Sequence, residues 1–156
     1  MIARAVSFLQ HLRMAKFRPS KKTREEVMFF DTDCGAVVHN IAYLRMIETC
    51  RTRLAAEMGM DLNSMSKTQV FPVVTHTEID YKRPASLGDW ITINGTLGKI
   101  GKARFTCHFE MIRESDGILL VTARQSLALV QMPQGKPLRL PKKWAEKWGA
   151  NAPEGA

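Results

Sequence analysis

The sequence has little of what would commit it to disulfide, metal or membrane chemistry. Its three cysteines, Cys34, Cys50 and Cys107, form no C-x-x-C pair and leave one thiol over. That argues against a disulfide framework and for a reducing compartment. The four histidines, His11, His39, His76 and His108, show neither H-x-H nor H-x-x-x-H spacing, so no metal site is expected. No apolar run reaches the roughly 18 residues that a spanning helix needs, and the stretch 5–9 is too short and too interrupted for a signal peptide. Internal repeats are absent, and 156 residues suit one domain. The chain is therefore expected to be cytoplasmic, with no stable membrane insertion.

Acids are missing from the first 24 residues, which carry Arg4, Arg13, Lys16, Arg18, Lys21, Lys22 and Arg24. Those seven bases account for most of the net charge of +8, because the other 16 basic residues face 15 acidic ones. The basicity belongs to an N-terminal arm, residues 1–22, and the body is nearly neutral. A solubilising extension is the plain reading of such an arm; nucleic-acid or membrane-surface attachment and an organelle transit peptide also fit it. No nucleic-acid partner is expected for the domain itself, taken as residues 23–143, with a C-terminal tail at 144–156.

What is present is a core-forming pattern, with 45% hydrophobic residues. The run Val27, Met28, Phe29, Phe30 reads as a buried first strand over 25–30. Asp31-Thr32-Asp33-Cys34-Gly35 is turn chemistry. A long helix is expected from His39 or Asn40 to about Met58. Ile41, Leu44, Ile47, Cys50, Leu54 and Met58 form its apolar stripe, Glu48 and Arg51 pair at i,i+3, and Gly59 ends it. Strands follow over 70–81, 90–97, 103–113 and 118–130, the third with Phe105, Cys107, Phe109 and Met111 on one face. The Pro-, Gly- and Lys-bearing segment from Pro133 reads as surface. One buried helix followed by an antiparallel meander is α+β architecture.

The chemistry lies where the acidic turn meets the helix. Free N–H groups at a helix N-terminus favour negative charge, so one short segment offers both a carboxylate and an anion-stabilising site. Hydrolysis of a thioester needs that pair: a base or nucleophile, and donors for the developing oxyanion. Asp33 also suits a loop aspartate that only binds the local backbone, and Asp31 suits a structural role. Cys34 near His39 is a conceivable nucleophile pair, and Glu48 is a second candidate carboxylate. His39 reads as a cap or a pocket-lining residue.

The stretch Asp31-x-Asp33-x-x-Ala36-Val37-Val38-His39-Asn40-x-x-Tyr43-Leu44, followed by Glu48-x-x-Arg51, resembles the 4-hydroxybenzoyl-CoA thioesterase-like branch of the hot-dog superfamily. The segment Tyr81-x-x-Pro84-Ala85-x-x-Gly88-Asp89 resembles a second motif of that branch. The likeness spans about residues 25–143. It implies a hot-dog fold, in which an antiparallel sheet wraps a long central helix, and hydrolysis of acyl-CoA or acyl-carrier-protein thioesters. Asp33 matches the catalytic carboxylate, as base or nucleophile; the Asn40 N–H matches the oxyanion donor; Tyr43 matches a residue near the acyl pocket. The resemblance implies no cofactor. It also implies a homodimer or homotetramer with its site at a subunit interface. A basic surface for nucleotide phosphates is implied too, for which Lys82, Arg83, Lys99 and Lys102 are candidates. A non-catalytic acyl- or CoA-binding module on the same fold is the alternative. The loop departs from the pattern at Ala36, where glycine is usual. If positive φ is required there, alanine leaves the loop shifted or strained, unless Gly35 takes the role.

Overall fold

The computed structural model describes residues 18–149. In chain order the elements are β1 (Ser20–Glu26), a single 3-10 turn (Phe29–Asp31), α1 (Asn40–Glu57), α2 (Leu62–Thr68), β2 (Val70–Tyr81), β3 (Trp90–Ile100), β4 (Arg104–Arg113), β5 (Leu119–Gln131), β6 (Lys136–Leu138) and α3 (Lys142–Trp148). The strands form one antiparallel sheet in the order β1-β3-β4-β5-β2, with β6 paired to β5. Strands β3, β4, β5 and the short β6 follow one another as a meander. Strand β2 is passed from the helical segment to the far edge.

Alternation along the central strands builds the floor of the core. Ile93 lies opposite Met111, which lies opposite Val121; in the next inward row Gly95, Phe109 and Ala123 align. Against this floor α1 buries Ala42, Tyr43, Met46, Ile47, Cys50, Leu54 and Ala55. A Cβ on Gly95 would meet the Cys50 Sγ at 2.9 Å and the Phe109 ring at 3.0 Å, so the bare backbone there is what admits the helix. The buried stripe is turned from the one expected, and Ile41 is 66% exposed. The helix ends as read from the sequence, with Gly59 beyond it at φ +85°.

Two expectations fail at the ends of the domain. The run 27–30 is not a strand. The sheet position belongs to Ser20–Glu26, whose seven residues pair with β3 from Thr96 to Trp90. This polar strand is fastened to α1 by ion pairs, Lys21 to Glu57 at 2.7 Å and Arg45 to Glu25 at 2.8 Å. Lys21 and Lys22, assigned to the arm, are thus part of the sheet. Val27 is buried, but Phe29 and Phe30 are 81% and 72% exposed, because the chain leaves the sheet and closes the 3-10 turn. The segment after Pro133 is not all surface either. Leu140, Trp144 and Trp148 are buried in the core cluster, with Trp144 edge-on to Phe105 at 5.4 Å. Helix α3 crosses position 143, and the Arg18 guanidinium binds the Trp148 carbonyl and those of Leu97 and Gly98. The other arm residues, 1–17, lie outside the described residues.

Candidate active site

The loop between β1 and α1 is built on Asp31. Its carboxylate is buried and accepts the Met28 N–H at 3.0 Å and an Arg45 N–H at 3.1 Å, while its carbonyl accepts the His39 N–H at 2.9 Å. Asp31 is thus the structural member of the D-x-D pair. A bridge between Thr32 and Val38 then narrows the loop, and the Asp33 N–H bonds the Val37 carbonyl at 3.0 Å. Asp33 sits just past that bridge, with its carboxylate exposed to solvent and one oxygen accepting the Gly35 N–H at 2.7 Å. That is the local turn bond expected of an aspartate here.

Ala36 carries the positive φ itself, +61°, and Gly35 does not take it over. For an L-residue this conformation costs roughly 1–2 kcal/mol. The Ala36 N–H bonding the Asp33 carbonyl at 3.0 Å holds it in place.

His39 is the N-cap of α1. Its Nδ1 accepts the Ala42 N–H at 3.2 Å, so the proton belongs on Nε2, which faces the Phe30 carbonyl at 3.4 Å. Both ring nitrogens face backbone groups, so the structure gives His39 a capping position; the substrate-contact role remains an expectation. Asn40 follows as the first helical residue, where the backbone N–H has no intrahelical acceptor. It opens a cleft of about 300 Å³ lined by Val38, Asn40, Tyr43, Tyr81, Lys82, Arg83 and Pro84. Tyr43 forms the inner wall, its hydroxyl accepting the Ala85 N–H at 3.0 Å. Burial pushes its phenol above the ordinary tyrosine value, and that hydrogen bond offsets only part of the shift. The Tyr81 ring lies 5.8 Å from that of Tyr43, and its hydroxyl reaches the Asn40 carbonyl at 3.4 Å.

Of the expected site residues, the cleft therefore gathers Asn40, Tyr43, Lys82 and Arg83. Asp33 stands on the adjoining loop and does not line it. Lys99 and Lys102 are not with this group. The cleft adjoins the start of β3, since the Arg113 guanidinium bonds the Pro84 carbonyl and Arg113 pairs with Ile91. Lys99 is eight positions further along β3, about 26 Å away at the strand rise. Lys102 is in the following turn, where its carbonyl accepts the Leu140 N–H. Within one chain these two lysines cannot share a phosphate with Lys82 and Arg83. Glu48 is exposed and pairs with Arg51 at 3.6 Å, lining a separate groove between α1 and α2. Arg51 makes its shorter bond, 2.8 Å, to the buried Gln125. Sequence reasoning gave no role to Val38, Tyr81 or Pro84. The second motif held the signal for Tyr81 and Pro84, because its tyrosine and proline bracket the two basic residues.

A model of the thioesterase-like superfamily matches residues 27–148. The chain belongs to that family. The thioesterase is 26% identical over 120 residues to a 1,4-dihydroxy-2-naphthoyl-CoA hydrolase of Synechocystis sp., covering 76% of this chain and 87% of that protein. It is also 26% identical over 116 residues to the acyl-CoA thioester hydrolase YbgC of Escherichia coli O6:H1, covering 74% and 86%. Among solved structures, a probable thioesterase from Bartonella henselae superposes with a TM-score of 0.71 at 29% identity, over 78% of this chain and 99% of that one. The hot-dog fold read from the sequence is the fold observed, and among the described residues the central helix is one of three helices beside the sheet. Among the described residues, no helix of the thioesterase is long and apolar enough to cross a membrane.

Proposed function

We propose that this thioesterase hydrolyses acyl-CoA, or acyl carried on a carrier protein, with Asp33 as base or nucleophile and the Asn40 N–H as oxyanion donor. The observation that carries the reading is the Thr32–Val38 bridge. It holds an exposed carboxylate on the loop that feeds directly into the first turn of α1, where Asn40 borders the cleft. Asp33, or a water it deprotonates, attacks the thioester carbonyl; where Asp33 itself attacks, the mixed anhydride formed on it is hydrolysed by water once the thiolate has left, which releases the acid and restores the carboxylate. The negative charge gathering on the carbonyl oxygen is met by the helix-end amide, and the thiolate leaves and takes up a proton. Tyr43, Val38 and Pro84 offer the acyl group an apolar wall, and Lys82 and Arg83 offer charge to a phosphate-bearing thiol carrier. Two relatives with CoA-thioester hydrolase names support the CoA form of the substrate.

The assembly proposed is a homodimer or homotetramer. Among the described residues, strand β2 runs twelve residues along an open sheet edge, with Val73 and Val74 part-exposed on it, whereas the opposite edge, β1, is short and charged. A second copy paired along β2 would cover that edge. Asp33→Asn should lower kcat for acyl-CoA roughly 10²- to 10⁴-fold, followed as free thiol released, with the circular dichroism spectrum unchanged. Near-normal turnover in that variant removes Asp33 from the reaction.

A further inference from the structure

We propose that Arg45 is a positioning residue for hydrolysis: its guanidinium sets the catalytic loop against the first turn of α1 by holding two carboxylates at once. This rests on the assignment of Asp33 above. Arg45 lies on the second turn of α1, five residues after Asn40. One of its terminal nitrogens meets Glu25 of β1 at 2.8 Å, and the other meets Asp31 at 3.1 Å. The Phe30 ring lies 6.0 Å below the guanidinium. The three elements that meet here are those whose relative placement decides where Asp33 stands: the sheet edge, the loop and the helix.

The Asp31 end of this clamp is the demanding one. Its side chain is 1% exposed, and a buried carboxylate is tolerated only when paired and hydrogen-bonded. Arg45 supplies the charge and the Met28 N–H supplies the second bond, while the Asp31 carbonyl receives the His39 N–H. Asp31 is therefore tied to the chain before the loop, to the cap residue after it, and to the helix body. Asp33 lies two residues beyond it, past the narrowing bridge. Burial works against the Arg45 charge, yet the carboxylates, Glu25 before Asp31, hold it more firmly protonated than a free guanidinium. Planar geometry matters here, because two carboxylates on different elements are spanned by one rigid fork. A lysine ammonium on a flexible stem reaches one of them at a time.

The test compares Arg45→Met and Arg45→Lys with the wild type and with Asp33→Asn, using an acyl-CoA that the wild type turns over. A displacement of about 1 Å in a reacting group can cost roughly 100-fold in rate. Arg45→Met should lose about 10- to 100-fold in kcat with KM within about threefold, and Arg45→Lys should recover part of that loss. A kcat within twofold of wild type in Arg45→Met overturns the proposal, as does a loss confined to KM. If Arg45→Met does not fold, Arg45→Lys decides: a kcat more than about twofold below wild type with KM within about threefold supports the clamp, and any other result overturns it. Asp33→Asn separates the two ideas. An inactive Asp33→Asn beside a fully active Arg45→Met refutes only the clamp, whereas an active Asp33→Asn refutes the assignment on which it rests.

Discussion

Tyr43→Phe isolates a single hydrogen bond at the inner wall of the cleft. The substitution keeps the ring, its 5.8 Å contact with Tyr81 and its place in the core, and opens no cavity. What it removes is the acceptor of the Ala85 N–H, bonded at 3.0 Å between residues that are 3% and 0% exposed. Water does not reach that N–H, so the cost is that of an unsatisfied buried donor, about 1–3 kcal/mol. For a domain of this size that is a fall in Tm of roughly 3–10 °C. The assay is urea unfolding of both proteins, with equal slopes showing that the native fold is kept. A second signature comes from pH. Burial, ahead of every other influence, raises the folded-state pKa of Tyr43 above its ordinary value of 10.0. The folded protein then keeps a proton that the unfolded chain releases. The stability from this source is full below about pH 10 and is lost as pH rises through the folded-state value. Wild type should therefore weaken more steeply above pH 10 than Tyr43→Phe does. A loss under about 0.3 kcal/mol at neutral pH, with parallel alkaline curves, would refute the burial and bonding described here.

Two further outcomes follow from the loop and the core. Ala36→Gly relieves a positive φ of 61° but loosens the unfolded chain, so the net effect should be stabilisation of up to about 1 kcal/mol, read as a higher urea midpoint; a lower midpoint contradicts the strain. Cys34 is exposed, whereas Cys50 and Cys107 are buried and desolvation pushes the Cys107 thiol up to about 12. A thiol reagent at pH 8 should therefore modify one cysteine in the native protein and three in denaturant, and rapid reaction of a second native thiol would count against the core as described.

The parts of this fold that were legible in the chain are those written in local periodicity. Helix α1 starts and stops where its cap and Gly59 place it, and β2 to β5 follow the alternating runs. The turn chemistry around Asp31 and Asp33 was also readable, because Asx side chains bond backbone within two or three residues and need no distant partner. The Tyr43 side of the cleft was legible only through a motif. Its spacing records contacts between α1 and the 81–89 segment that no periodicity reveals.

What escaped the sequence was set by distant partners. The segment Ser20–Glu26 is polar and a poor strand former by composition. It is a strand because β3 offers a full ladder and because α1 answers its charges. Phe29 and Phe30 look like core and are exposed, since a buried Asp31 three residues from Met28 turns the chain away first. Trp144 and Trp148 look like tail and are core, because Phe105 and its neighbours leave a face for them.

By itself, then, the sequence determined the long helix, the central strands and the acidic turn that precedes the helix, since each is written in a side-chain pattern that repeats or closes within a few residues. Only the tertiary structure decided the strand order, the phase of the buried helix face, the grouping of Lys82 and Arg83 apart from Lys99 and Lys102, and the meeting of Arg45 with both Glu25 and Asp31. Those depend on which surfaces are left to be buried once the helix has settled on the sheet, and burial is a property of the assembled chain and of no single segment.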